Sequence, residues 1–205
     1  MKMTETKKII DFIEENSDEI VENIEFESIV TYNFLKKQFA DFDVRKNYLF
    51  QFVYRSFYRL DNAGLTSEFK NEYFIILEEY RNQNFFNFSD VLQRLYEIPS
   101  RRGLNTFQFS FTTKMLNMID EQMPIYDSGV ARMFSFVRPY VSPFDEKLKI
   151  YMKQYEEIKN VYKEILNKHL LPKINVYFDE RFKEYKINEI KKMDFVFWSA
   201  GKLKN

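Results

Sequence analysis

Residues 104–134 read LNTFQFSFTTKMLNMIDEQMPIYDSGVARMF. Apolar residues recur at helical spacing from about Asn105 to Asp120 around a lysine, Lys114. A short polar break follows, and Pro124-Ile125-Tyr126-Asp127 opens a second helix that runs to about Phe136. Asp127 stands just ahead of that helix. There a carboxylate accepts unpaired N–H groups of the first turn and meets the positive end of the helix dipole. The segment is therefore read as helix, break and capped helix, and the rest of the chain follows the same grammar.

Upstream, Ile9, Ile10, Ile13, Ile20, Val21 and Ile24 form a helical stripe with a break near Ser17. Helices are expected over Ser28–Phe39 and Val44–Leu60, with Asp41-Phe42-Asp43 between them. On the second, Leu49, Phe52, Val53, Phe57 and Leu60 recur every three or four residues and are expected to be buried. Thr66-Ser67-Glu68 starts a helix running to about Arg81, and Ser89-Asp90 caps a short one ending before Pro99. Downstream, Pro139 and Pro143 bracket a turn. Pro143 to His169 then reads as one long helix with the stripe Leu148, Met152, Tyr155, Ile158, Tyr162, Ile165 and Leu166. Phe178–Tyr185 and Ile187–Lys202 complete an all-α reading. The chain forms one all-α domain over residues 1–205, or two helical lobes, 44–98 and 1–43 with 99–205, enclosing a cleft.

Composition supports this class and excludes several chemistries. Four Gly and five Pro among 205 residues are too few for the turns of an all-β fold. The 23 Phe and 14 Tyr supply a large core. With no Cys there is no disulfide, no Cys₄ iron–sulfur cluster and no cysteine nucleophile. His169 is the only histidine, which argues against a histidine-based zinc site or a serine–histidine triad. Chemistry is thus left to Asp, Glu, Lys, Tyr or Ser, with no metal and no cofactor expected. No stretch reaches the ~18–20 apolar residues of a membrane span, and no signal peptide is read at the start, so the expectation is a cytoplasmic protein without a membrane partner.

The net charge of zero is unevenly spread. Residues 1–30 carry three Lys against nine acids, and residues 141–205 carry 14 Lys and Arg against ten acids. This permits a basic nucleic-acid face without requiring one, since mixed charge on helices is ordinarily a solvated surface.

In Pro124 followed by Asp127-Ser128-Gly129-Val130-Ala131-Arg132, the proline, aspartate, valine and arginine are spaced as in the helix-hairpin-helix DNA glycosylase superfamily, and residues 104–134 resemble its catalytic-aspartate segment. The resemblance implies a two-lobed helical fold that acts on an extruded DNA base. It implies that Asp127 stabilises positive charge developing on the deoxyribose as the base leaves, as a carboxylate does at the oxocarbenium-like centre of glycosidases. It further implies that Lys114 attacks the sugar C1′ in a lyase step. Where the superfamily carries Gly-x-Gly-Thr-Lys, this chain has Ser110-Phe111-Thr112-Thr113-Lys114, so Thr113 and Lys114 match and both glycines are replaced. Gly129 stands where many members carry histidine, and the interval from Lys114 to Asp127 is shorter than usual.

Further residues complete the expected site. Thr112 and Thr113 are candidates to meet DNA phosphates through their hydroxyls, in place of the backbone approach that glycines allow. Arg101 and Arg102, beside Gly103, and Arg132 are candidate phosphate contacts. Tyr126 could stack on the extruded base. Each has a plainer alternative: a helix cap for Asp127, a surface lysine for Lys114, an exposed turn for Arg101 and Arg102, a local ion pair for Arg132, core packing for Tyr126. The competing function is a non-catalytic DNA-binding or protein-interaction module on the same helical scaffold.

Overall fold

The computed structural model describes residues 3–140 and 143–204, and among these every regular element is helical. In chain order they are α1 (Met3–Glu15), α2 (Ser17–Glu22), α3 (Phe26–Asp41), α4 (Tyr48–Phe57), a 3₁₀ turn (Leu60–Asn62), α5 (Ser67–Glu79), α6 (Phe88–Tyr96), α7 (Phe109–Ile119), α8 (Ser128–Met133), α9 (Phe144–Lys168), α10 (Pro172–Arg181) and α11 (Glu189–Leu203). Val141 and Ser142, inside the turn expected between Pro139 and Pro143, lie outside the described residues. No helix among those described is long and apolar enough to cross a membrane.

The chain divides into two compact units, Met1–Phe26 with Glu121–Asn205, and Glu27–Asp120. The middle unit is wider than the expected 44–98 lobe because its core draws on both flanks. From α3 come Ile29, Tyr32, Leu35 and Phe39, and from α7 come Phe109, Met115, Leu116 and Met118, all buried with Phe50, Tyr54, Tyr73 and Leu77. Phe39 stacks on Phe50 at 6.4 Å, and Lys36 Nζ reaches the Met118 carbonyl at 2.9 Å. A buried hydroxyl relay joins three helices: Tyr54 and Tyr73 share a 2.7 Å hydrogen bond, and the Tyr73 hydroxyl donates to the Phe111 carbonyl at 2.8 Å. Burial pushes both phenols well above their ordinary pKa, so they stay neutral donors.

The face that α4 buries differs from the sequence expectation. Leu49 and Phe52 are more than half exposed, while Phe50, Tyr54 and Tyr58 fill the core. Aromatics occupy both faces of this helix, so hydrophobic spacing alone offered two stripes. The tyrosine relay and the Phe39 and Phe74 rings selected the second. Caps also shift locally. Asn87 rather than Ser89 caps α6, accepting from the Asp90 N–H at 3.2 Å. Thr66 caps α5 as its sequence suggests. The break near Ser17 is real: α1 ends at Glu15, and the Ser17 hydroxyl is drawn back to the Ile13 and Glu14 carbonyls.

In the terminal unit, α11 is the central element. Lys191 through Val196 point inward with Phe197, Ser199, Ala200 and Gly201. The Ser199 hydroxyl donates to the Ile20 carbonyl at 2.7 Å and ties α11 to α2. Glu14 at the end of α1 accepts the Lys173 and Ile174 N–H groups, which completes the first turn of α10. The long α9 runs as expected and ends on His169 in the left-handed conformation. Its Tyr155, Ile158, Tyr162 and Ile165 are fully buried.

Candidate active site around Asp127

Asp127 is the N-cap of α8. Its backbone is extended, and its Oδ1 accepts the Val130 N–H at 3.0 Å. The side chain is half-buried. The loop that delivers it, residues 121–127, is anchored to α9 and α11 at almost every step. Glu121 accepts from the Asn188 side chain at 3.1 Å. The Pro124 carbonyl accepts the Tyr155 hydroxyl at 2.8 Å. The Ile125 N–H donates to Asp194 Oδ1 at 2.9 Å, and the Tyr126 hydroxyl donates to Gln154 Oε1 at 2.8 Å. Such anchoring holds a side chain in one place before any ligand arrives.

Behind the loop lies a group of ionisable side chains that periodicity did not single out. Asp194 is about 5% exposed and Lys191, one turn earlier on α11, about 2%; their charged ends are 3.9 Å apart. Asp194 Oδ2 and the Tyr162 hydroxyl of α9 are both buried without a well-formed hydrogen bond, the phenol interacting with the Asp194 carboxyl. Burial pushes the Asp194 carboxyl up, to about 7. The Lys191 ammonium and the Ile125 N–H oppose the rise, and the nearby Asp127 carboxylate adds to it. Burial, then the charges of Asp194 and Asp127, push the Tyr162 phenol well above its ordinary value. A strongly perturbed carboxyl beside a second carboxylate is a common signature of functional sites, although structural ion pairs produce it too. One signal for Asp194 was legible: a single acid inside the apolar run Met193-Asp194-Phe195-Val196-Phe197.

The other expected site residues distribute as follows. Tyr126 is buried, stacked 6.3 Å from Phe136 and edge-on to Tyr151 at 5.4 Å, with its hydroxyl on Gln154. In this structure the ring anchors the loop, with one face toward Phe136 and the hydroxyl on Gln154. Thr112 and Thr113, expected at DNA phosphates, turn inward. Both are fully buried inside α7, and their hydroxyls bond back to the Gln108 and Ser110 carbonyls at 3.2 and 3.0 Å. With α7 starting at Phe109, the run Ser110–Lys114 is helix throughout, and no glycine turn precedes the lysine.

Lys114 belongs to the middle unit and Asp127 to the terminal unit. Lys114 is half-buried, its Nζ 5.1 Å from the Phe111 ring centre and 5.7 Å from that of Tyr58. Aromatic faces on a lysine stem hold the ammonium in a defined direction. Arg101 and Arg102 are exposed in a turn completed by Gly103 at φ 71°. Arg101 is partly committed: its N–H donates to the Gly64 carbonyl and its Nε to the Leu65 carbonyl. Arg132 is exposed on α8, with Nε 3.3 Å from the Ser128 carbonyl.

Gly129 follows from packing. A Cβ there would lie 2.9 Å from the Trp198 carbonyl oxygen and 3.1 Å from the indole ring. The space beside Gly129 is filled by the backbone of α11. Among the described residues no group of three or more His, Cys, Asp and Glu could hold a metal ion. Set against known proteins, the chain matches no family model, no curated protein and no solved structure.

Proposed function

We propose that this chain is a DNA glycosylase-like enzyme that cleaves the N-glycosidic bond of an extruded base, with Asp127 as the carboxylate that opposes positive charge on the departing sugar. The observation that carries this reading is the anchored Asp127 loop. A simple cap needs only the Asp127–Val130 bond, yet α9 and α11 commit Tyr155, Gln154 and Asp194 to the three residues ahead of it. A preorganised carboxylate stabilises a developing cation more than mobile water does. The two-lobed glycosylase architecture forms part of the proposal; the chain divides into one unit that holds both chain ends and one continuous middle unit. Lys114 is the candidate nucleophile for a lyase step.

The test is a panel of duplex oligonucleotides, each with one damaged or modified base, scored for base release and strand nicking. Wild-type release from at least one duplex, lost in Asp127→Asn, supports the reading. Release unchanged in that variant rejects it.

The second reading is a non-catalytic DNA-binding or protein-interaction module on the same scaffold, and one observation weighs against phosphate contacts at α7. The hydroxyls of Thr112 and Thr113, offered in place of the missing glycines, are turned into α7. Binding without base release across the whole panel, weakening as salt rises through counterion release, identifies that case. Because Arg101 also holds the Leu65 carbonyl, Arg102→Ala is the cleaner probe of a phosphate contact.

A further inference from the structure

Asp194 is an uneconomical way to hold one backbone N–H. A buried asparagine or serine could accept the Ile125 bond without bringing a carboxyl into the core. The acid also leaves Oδ2 without a well-formed hydrogen bond, 3.9 Å from a buried lysine on its own helix. A buried polar atom in that condition calls for an explanation beyond packing. Ile125 lies two residues before Asp127, and only Tyr126, itself fixed to Gln154, intervenes.

We propose that Asp194 is a proton-responsive positioning residue for Asp127: its charge state sets how firmly the Ile125 N–H is held, and with it the backbone that leads into the α8 cap. The catalytic consequence rests on the reading of Asp127 given above; the coupling between Asp194 and Ile125 does not. An ionised carboxylate accepts an N–H bond roughly twice as strongly as a neutral acceptor. When Asp194 is charged, the Lys191 ammonium on α11 balances it, and the loop is gripped at Ile125. When it is protonated, the grip weakens.

The ionisable groups facing Asp194 come from each element around it. Lys191 on α11 and the Tyr162 phenol of α9 favour the charged form, and Asp127 at the α8 cap disfavours it. Burial pushes the Asp194 carboxyl up to about 7, which puts the switch within reach of ordinary pH. Asp194 touches no reacting atom in this scheme; it acts through the loop.

The test is an NMR titration of the full-length, isotope-labelled protein from pH 5 to 9, following the Asp194 side-chain carboxyl carbon and the Ile125 amide. The two should move together with one midpoint near neutrality. In Asp194→Asn the side-chain oxygen still accepts the Ile125 bond, so the fold survives, but the Ile125 titration should disappear. In Lys191→Met the midpoint should rise by about one pH unit or more, because the stabilising cation is gone. If Asp194 titrates in the ordinary carboxylate range, or the Ile125 amide titrates unchanged in Asp194→Asn, the proposal is overturned. On any duplex the wild type processes, the acidic limb of the pH–rate profile should follow the same midpoint and flatten in Asp194→Asn. An unchanged limb would overturn the catalytic part. If the wild type releases no base at all, the enzyme reading fails, and the titration still decides the coupling.

Discussion

Gly201 of α11 rests directly on Gly129 of α8, so closely that a methyl group on Gly201 would enter the Gly129 peptide. Both obstacles are backbone, and neither can rotate aside as a side chain would. The two glycines therefore set the distance between α8 and α11, and so the distance from Asp127 to the residues behind its loop. Gly201→Ala should destabilise the protein by ~1–3 kcal/mol through overpacking, read as a lower midpoint in urea. Gly129→His should also destabilise the protein, since its Cβ would lie 2.9 Å from the Trp198 carbonyl oxygen and 3.1 Å from the indole ring. A Gly129→His protein as stable as the wild type would contradict this packing.

Two substitutions at Asp127 separate the cap from the charge. Asp127→Asn keeps an oxygen for the Val130 N–H, so its thermal midpoint should stay near that of the wild type. Asp127→Ala loses the cap and should cost about 1 kcal/mol. Base release should fall by a hundredfold or more in both, because both remove the charge. Equal stability of the two variants would show that the cap contributes nothing.

If the proposed base release holds, Lys114 decides whether a lyase step follows it. With the wild type and a processed duplex, borohydride should trap a covalent protein–DNA adduct through the Schiff base, and Lys114→Ala should give none. If Lys114 only packs on Phe111 and Tyr58, base release should continue in Lys114→Ala, and neither protein should be trapped.

Glu78 gives a pH dependence in the middle unit. Burial pushes its carboxyl up, but the Arg81 guanidinium and the Val44 N–H outweigh that and hold it below the ordinary glutamate range. A carboxyl depressed in the folded state adds stability above its unfolded pKa and loses it as pH falls through the folded one. Glu78→Gln should therefore be less stable than the wild type at neutral pH, and the gap should close on acidification below about pH 4. Paired urea titrations at pH 7 and in mild acid measure this; a gap that widens in acid would rule it out.

The sequence by itself determined what local physics controls. Hydrophobic period, Pro and Gly positions and capping side chains act within a few residues. They located α9 from Pro143 to His169, the break at Ser17, the Thr66 cap and Asp127 at the head of α8. Only the tertiary structure decided which of two aromatic faces α4 buries, because rings on both sides gave the pattern no polarity contrast. It alone turned Thr112, Thr113 and Tyr126 inward, since whether a hydroxyl or ring is spent inside the fold depends on neighbours contributed by other parts of the chain. The partnership of Asp194 with Ile125 spans 69 residues, and the contact of Gly201 with Gly129 spans more. No local rule reports on such pairs: packing of α9 and α11 against the loop creates them, and the chain's order does not.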